Sequence, residues 1–344
     1  MHYETEQGDS PHRAFQEGSF PFLDKLAPAG YDCHCGCDPQ MKTETLIACG
    51  ICASREIETI DPVACLCRCR TCGYVFDNPR PTVDEIVRYY SKSSLFDSWM
   101  AEEAARNVLW QRRLRKMTRT RKAGSLLDIG AGTGQFLHLA RPFFSEVFGT
   151  EVSTRAIEVA RSTYGLQLIE GEIENIHFDR QFDNITLFHV LEHVPNPVRL
   201  VQLCRELLTD NGLLVVAVPN EIDSIRLKVL RFMRRSPGRG LKNVGRLGLP
   251  RIALDGSIGD IHLSHFTPKV LRRLLENNGF AVVNLSLDPE YVRGGIKRFL
   301  HDCYFQVMSL LYCGLGVNWY DATWITGRKN LERPGDAARA LADH

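Results

Sequence analysis

From Ser125 onward, short apolar runs alternate with segments whose apolar residues recur every three to four positions. The runs Ser125–Ala131, Glu146–Val152, Leu166–Gly171, Asp183–Val190 and Leu213–Val218 read as strands. The segments between them read as helices. Gln135–Arg141 is stopped by Pro142, and Thr154–Tyr164 is capped by Ser153 and ended by Gly165. A third helix starts at Asn196-Pro197 and is expected to end at Asp210-Asn211-Gly212. A further helix runs from Thr267-Pro268 to Asn278-Gly279, followed by strands at Ala281–Leu287 and Ala322–Gly327. This β-α repetition predicts an α/β fold with a doubly wound sheet.

The pattern upstream differs. After Pro79 and Pro81, Thr82 can cap a short helix carrying Ile86, Tyr89 and Tyr90. A longer helix is expected over roughly Phe96–Lys122, with eight basic residues in its second part and no acid after Glu103. A solvated basic face is the expected use of that stretch, with an anionic-substrate or RNA surface as the alternative. The longest uncharged run, Cys303–Tyr320, is 18 residues long and contains Gln306, Ser309 and Asn318. A span needs about 20 mostly apolar residues, so this run predicts a core or interfacial helix.

Charge changes the picture little. The 42 Lys and Arg against 41 Asp and Glu leave a net charge of +1 over 344 residues, which argues against a generally basic nucleic-acid coat. The first 30 residues show no apolar signal core, so a cytoplasmic protein is expected.

Cysteine changes it more. Nine of the 12 cysteines lie between Cys33 and Cys72. Cys49-x2-Cys52 and Cys69-x2-Cys72, sixteen residues apart, have the spacing of two knuckles of a structural zinc site. Cys65 and Cys67 leave the register open to a slip, and Cys33, Cys35 and Cys37 are expected to be free thiols. The predicted organisation is an arm over 1–45, a zinc ribbon over 46–80, a helical linker over 81–123 and a cofactor-binding core over 124–222. A basic insertion over 223–264, a closing segment over 265–328 and a tail over 329–344 complete it.

The turn LLDIGAGTGQF carries Asp128, Gly130, Gly132 and Gly134. Its glycines allow close backbone approach to a ligand, and Glu151 ends the next strand, where a carboxylate can grip two ribose hydroxyls. The turn reads GxGxG rather than the dinucleotide GxGxxG, and an acidic strand end suits a cationic amino-acid cofactor better than a pyrophosphate.

From these residues, about 120–328 resembles the class I S-adenosylmethionine (SAM)-dependent methyltransferases. The resemblance implies a seven-stranded Rossmann-like methyltransferase sheet. It implies the methionine part of SAM at Asp128, Gly130, Gly132 and Gly134, and ribose at Glu151. LIEGEIENIHF implies adenine at Glu172 and the Ile173 backbone, and FDNITLFHVLEHVPNP puts His189 near the methionine end. The cysteine segment with VFDNPRP and Tyr89-Tyr90 is similar to the zinc ribbon of a subset associated with methylation of sugars, polysaccharides and natural products. A more distant resemblance, to ubiquinone-pathway O-methyltransferases, associates Glu-x-x-Glu-His with a divalent ion; His189 here replaces the first glutamate.

Methyl transfer to a hydroxyl or an acidic C–H needs a base, and histidine suits that work near neutral pH. His193, His262 and His265 are the candidates, His265 favoured for its place beside Phe266 and the helix start. Glu192 and His193 could equally just brace their loop. Residues 225–251 carry nine basic residues and no acid. They suit a lid for an anionic acceptor, a membrane-surface contact or a solvated loop. The expected function is methyl transfer from SAM to oxygen or carbon of a small, anionic acceptor such as a sugar nucleotide, glycan precursor or natural product. An RNA methyltransferase, a lipid-quinone-type O-methyltransferase and a non-catalytic SAM-binding protein are the alternatives.

Overall fold

The computed structural model describes residues 41–92, 100, 102–120, 124–234, 245–254, 261–290 and 294–330. Cys33, Cys35, Cys37 and the tail from residue 331 lie outside the described residues, as do 235–244 of the basic insertion.

The apolar runs assemble into one seven-stranded sheet. Its strands are β6 (Ser125–Ile129), β7 (Glu146–Glu151), β8 (Ile169–Glu170), β9 (Phe182–Phe188), β10 (Leu208–Pro219), β12 (Phe280–Leu287) and β13 (Ala322–Lys329). Their order is β8-β7-β6-β9-β10-β13-β12, with β13 antiparallel to both of its neighbours. Side chains of alternate parity enter two cores. Leu127, Ile185, Leu187, Leu214 and Val216 meet α5 (Pro197–Leu207) and α7 (Pro268–Asn277) on one face. Leu126, Phe188, Val215 and Ala217 meet α2 (Glu103–Thr120), α3 (Gln135–Ala140) and α4 (Thr154–Tyr164) on the other. Burial on both faces is why these strands read as continuous apolar runs instead of alternating ones.

Three features differ from expectation. Helix α5 ends at Leu207, and Asp210-Asn211-Gly212 sits inside β10, where the ladder to β9 shifts register between Leu208 and Leu213. Residues Cys303–Leu315 of the uncharged run lie in α8 (Ile296–Leu315), a helix inserted between β12 and β13, and the last five residues of the run lie beyond it. No helix among the described residues is long and apolar enough to cross a membrane. Within 225–251 the chain forms α6 (Ile225–Arg234).

The third correction concerns α2. Its basic residues do not form one solvated face. Arg113 is 1% exposed, Lys116 donates to the Leu287 carbonyl at 2.6 Å, and Arg112 makes a bidentate pair with Asp302 at 2.7 Å. Burial pulls the Lys116 ammonium down to about 8. The charge run was ambiguous because three cations cross the core boundary to partners more than 170 residues away in sequence.

The cysteine segment folds as a small antiparallel sheet of β2 (Ile57–Asp61), β3 (Leu66–Cys69) and β4 (Val75–Asp77). Alongside it, β1 (Thr43–Glu44) pairs with β5 (Arg80–Pro81), and α1 (Val83–Lys92) follows. A two-residue strand from beyond the basic insertion, β11 (Ser264–His265), adds to β4. Tyr74 and Ser264 share a hydrogen bond at 2.5 Å, and Tyr74 and Phe76 pack with Phe266 and Val270 of the larger core. The ribbon is therefore anchored by both a sheet edge and apolar burial.

Candidate functional site

At the carboxyl ends of β6, β7, β9 and β10 lies a cavity of about 930 Å³. That is the edge where parallel α/β sheets receive ligands, and the volume leaves room for two molecules of modest size. Gly130, Gly132, Glu151, Glu172, Ile173 and His189 all line it. Gly130 has φ +72°, and a Cβ there would meet Val190 at 2.6 Å, so this turn requires glycine. Glu151 is drawn in by the backbone: Gly132 donates to Oε2 at 2.7 Å, and Val152 and Ser153 donate to Oε1 at 2.8 and 3.0 Å. Burial raises its pKa against the pull of those three donors.

Asp128 and Gly134 do not line the cavity. Asp128 lies beneath the turn and accepts from Thr186 Oγ1 at 2.6 Å; burial lifts its carboxyl to about 7 against that hydrogen bond. Gly134, at φ +74°, lets Leu166 and Ala160 pack closely; a Cβ would meet Leu166 at 2.7 Å. Both shape the turn from behind.

His189 takes a left-handed backbone, φ +57°, at the end of β9. Its Nε2 accepts from Arg113 Nη2 at 2.8 Å, and its Nδ1 is 3.2 Å from Glu192 Oε1. Arg113 was not expected here. It is held by Asp288 and lies over the Trp110 and Phe188 rings, 5.0 and 4.9 Å from their centroids. Its Nη1 is buried without a hydrogen-bond partner, and the residue lines the cavity. A lone arginine within a basic helical run gives no signal of this role in the sequence.

The three candidate histidines separate. His193 and His262 line the cavity, with ring centroids 5.0 Å apart, and His265 does not line it. His193 Nδ1 is 2.6 Å from the Ile261 carbonyl and 2.9 Å from Tyr90 Oη. A carbonyl can only accept, so Nδ1 carries the proton and Nε2 is the basic nitrogen. Tyr90 reaches the site because Ile86, on the same helix α1, packs against Ile261 and Leu263.

His265 sits behind the wall. Its Nδ1 lies 2.6 Å from Glu221 and its Nε2 3.0 Å from Asp77 of the ribbon. His262 Nδ1 lies 3.0 Å from the other Glu221 oxygen. Burial opposes charge on both rings, but the Glu221 carboxylate outweighs it, raising His265 to about 10 and His262 to about 9. Burial likewise opposes charge on Glu221, yet the two imidazoliums hold its carboxyl well below the usual range. An imidazolium engaged at both nitrogens has no basic site left. Glu221 follows the fifth strand of the repeat, a placement that could have nominated it; Asp77 gives no such signal.

Replacing His265 with Ala strands buried Asp77 and leaves Glu221 with His262 as its one remaining imidazole partner. The expected loss is about 3–5 kcal/mol of unfolding free energy, read from denaturant curves; a loss under about 1 kcal/mol would show that the bridge is dispensable. The contribution has a sign in pH. The folded-state pKa lies above 6.5, so the stabilisation is complete below 6.5 and fades as pH rises toward 10.

Glu192 is 1% exposed, and its Oε1 lies 3.2 Å from His189 Nδ1 and 3.9 Å from His193 Nε2. One ligand atom each from Glu192, His193 and His262 lies within 4.8 Å of the others, a set that could hold a metal ion. Burial opposes the Glu192 charge, but the nearby His189, His193 and His262 lower its pKa.

In the ribbon, the sulfurs of Cys49, Cys52, Cys69 and Cys72 lie within 4.8 Å of one another. Cys49 and Cys72 are 3.6 Å apart, and Cys52 and Cys69 are 3.5 Å apart. Four thiolates about 2.3 Å from a tetrahedral zinc would stand about 3.8 Å apart, so this donor set fits that ion with little movement. The Ile51 amide donates to Cys49 Sγ at 3.4 Å, the knuckle arrangement expected of a thiolate ligand. Cys65 and Cys67 lie outside the cluster, which resolves the register.

The chain matches the methyltransferase-domain family over residues 96–285 and belongs to it. Among curated proteins it is 32% identical over 107 residues to a ubiquinone biosynthesis O-methyltransferase of Actinobacillus pleuropneumoniae, covering 28% of this chain and 45% of that protein. It is 26% identical over 124 residues to an uncharacterised protein of Methanocaldococcus jannaschii, covering 36% and 57%. The chain thus spans about half the length of the curated relatives it matches. Among solved structures, a SAM-dependent methyltransferase from Archaeoglobus fulgidus aligns with a TM-score of 0.43 at 18% identity, covering 67% of this chain and 99% of that one. The N-methyltransferase NodS of Bradyrhizobium japonicum aligns at 0.42 and 14%, covering 71% and 96%.

Proposed function

We propose that the protein is a SAM-dependent methyltransferase acting on a hydroxyl of a small-molecule acceptor. One observation carries the reading: Glu151, the glycine turn and Arg113 line the same cavity as His193 and His262. In this reading Gly130 and Gly132 admit the methionine part and Glu151 accepts from the ribose hydroxyls. Glu172 and the Ile173 backbone border adenine. The partnerless Arg113 Nη1 donates to the cofactor's carboxylate in a charge-assisted hydrogen bond, its Nε and Nη2 being taken by Asp288 and His189. His189, bonded to that arginine, keeps it aimed.

When bound, SAM supplies a methyl group already activated by its sulfonium. The chain's part is to hold the acceptor oxygen in line and to take its proton. His193 Nε2 takes that proton, and the Ile261 carbonyl and Tyr90 hold the ring in the required tautomer. His262 and Glu221 bound the same chamber, while His265 positions Glu221 from behind. The relatives named as O-methyltransferases support oxygen as the acceptor atom. The Cys49, Cys52, Cys69 and Cys72 thiolates hold a structural zinc, and the location of the whole is cytoplasmic.

The cofactor assignment is tested by titrating SAM calorimetrically into wild type and Glu151→Ala. Losing the ribose hydrogen bonds should weaken binding about 30- to 100-fold; equal affinity would refute the assignment. The acceptor is sought by transfer of a labelled methyl into a cell extract split into soluble metabolites, lipids and RNA. Label among soluble anionic metabolites supports the sugar-nucleotide and glycan-precursor classes, and label confined to RNA overturns the small-molecule reading.

A further inference from the structure

Glu192 lies behind the cavity wall, between His189 and His193, which both line the cavity. A carboxylate that deep needs donors around it, because desolvating it alone is costly. Its neighbours are imidazoles. Oε1 is 3.2 Å from His189 Nδ1, on the cofactor side, and 3.9 Å from His193 Nε2, on the acceptor side. Its backbone carbonyl accepts from the Leu263 and Ser264 amides at 2.8 and 3.1 Å, which fixes the segment carrying His262.

The His189 ring admits one arrangement of protons. A guanidinium only donates, so Nε2, 2.8 Å from Arg113 Nη2, presents its lone pair. An ionised carboxylate only accepts, so Nδ1 carries the proton on the side of Glu192. The backbone holds the ring in place: His189 has φ +57°, a region that residues other than glycine seldom adopt, and its amide donates to the Ala217 carbonyl at 2.9 Å. From Arg113 the contacts run on to Asp288 Oδ2, which accepts from Nε and Nη2 at 3.1 and 2.5 Å. Nη1 is the guanidinium nitrogen left over.

We propose that Glu192 is a positioning residue for the cofactor's carboxylate. It holds the proton on His189 Nδ1, so that His189 Nε2 accepts from Arg113 and keeps Arg113 Nη1 turned toward the methionine end. Without the carboxylate, nothing keeps that proton on Nδ1. A proton on Nε2 would face the Arg113 N–H, donor against donor, and push the guanidinium out of line. This role rests on the proposed pairing of Arg113 with the SAM carboxylate. His189 lies outside the metal-sized set of Glu192, His193 and His262, so the role needs no ion.

The test compares calorimetric titrations of SAM and of decarboxylated SAM, which keeps the adenosine and the sulfonium and lacks the carboxylate. Wild type should bind SAM more tightly, and Arg113→Ala should erase that preference. Glu192 does not line the cavity, so Glu192→Leu removes no contact to either ligand. It should nonetheless weaken SAM about tenfold, within the worth of a hydrogen bond to a charged group, and decarboxylated SAM less than about twofold. The second ligand thereby reports an intact fold. Glu192→Gln should stay within about twofold of wild type for both ligands, because its amide oxygen can accept from His189 Nδ1 while its amide nitrogen faces His193 Nε2. Unchanged SAM affinity in Glu192→Leu, or an equal loss for both ligands, overturns the role of Glu192 while the arginine pairing stands. If Arg113→Ala keeps the preference for SAM, or wild type shows none, the arginine pairing itself falls and takes the role of Glu192 with it. Nitrogen-15 spectra of the wild-type imidazoles read the tautomer directly. The His189 ring, identified by its loss in His189→Gln, should be protonated at Nδ1, and a proton on its Nε2 instead overturns the proposal.

Discussion

Changing Cys49 and Cys69 together to Ser should strip the protein of about one zinc per chain and unfold its ribbon. Each serine removes one thiolate from a tetrahedral set, and each of the two short sulfur pairs, Cys49 with Cys72 and Cys52 with Cys69, loses one member. Structural zinc in small modules contributes on the order of 10 kcal/mol or more to folding. Within the ribbon itself little can replace it, since its three longest strands total twelve residues and its ties to the larger core run through Tyr74, Phe76 and the β4–β11 pairing. The damage should also travel. Asp77 on β4 holds one side of His265, and β4 is the strand to which β11 adds. Loss of the ribbon therefore releases the bridge that sets Glu221 and, through it, His262 at the cavity wall. Metal analysis and far-UV unfolding check the first part, and methyl transfer checks the second. A double variant that keeps a cooperatively folded ribbon without metal would sink the zinc assignment.

The legibility of this chain followed the range of its interactions. The glycine turn, the Glu151 strand end and the two CxxC knuckles could be read because each is local, its geometry set by neighbouring residues. The same holds for the caps: Ser153, Asn196 and Thr267 each accept from a backbone amide three residues on. What could not be read is long-range. Arg113 meets Asp288 across 175 residues, and His265 meets Asp77 across 188. A two-residue strand such as β11 has no periodicity, so its pairing with β4 has no sequence signature. The end of α5 was misjudged for a related reason. Asp210-Asn211-Gly212 is strong stop chemistry, but pairing with β9 drew the chain into extended form from Leu208.

The same distinction governs the three histidines. His265, beside Phe266 and the helix start, looked like the strongest base, yet its place between two carboxylates holds it as a cation. His193 instead has one nitrogen spent on a carbonyl and a ring that lines the cavity. His193→Ala should therefore lower turnover by about 10²- to 10⁴-fold, the usual worth of a general base. SAM affinity should stay within about twofold, because the ring lies outside the cofactor contacts proposed above. Tyr90→Phe removes the hydroxyl beside Nδ1 but leaves the Ile261 carbonyl, so it should cost much less than His193→Ala. A rival role is built into the same corner, since Glu192, His193 and His262 also form a metal-sized set. A chelator separates the two. If wild-type turnover collapses on removal of a divalent ion while ribbon zinc is retained, and the ion restores it, His193 is a ligand and the base must be sought elsewhere. Unchanged turnover under the chelator leaves the proton with His193.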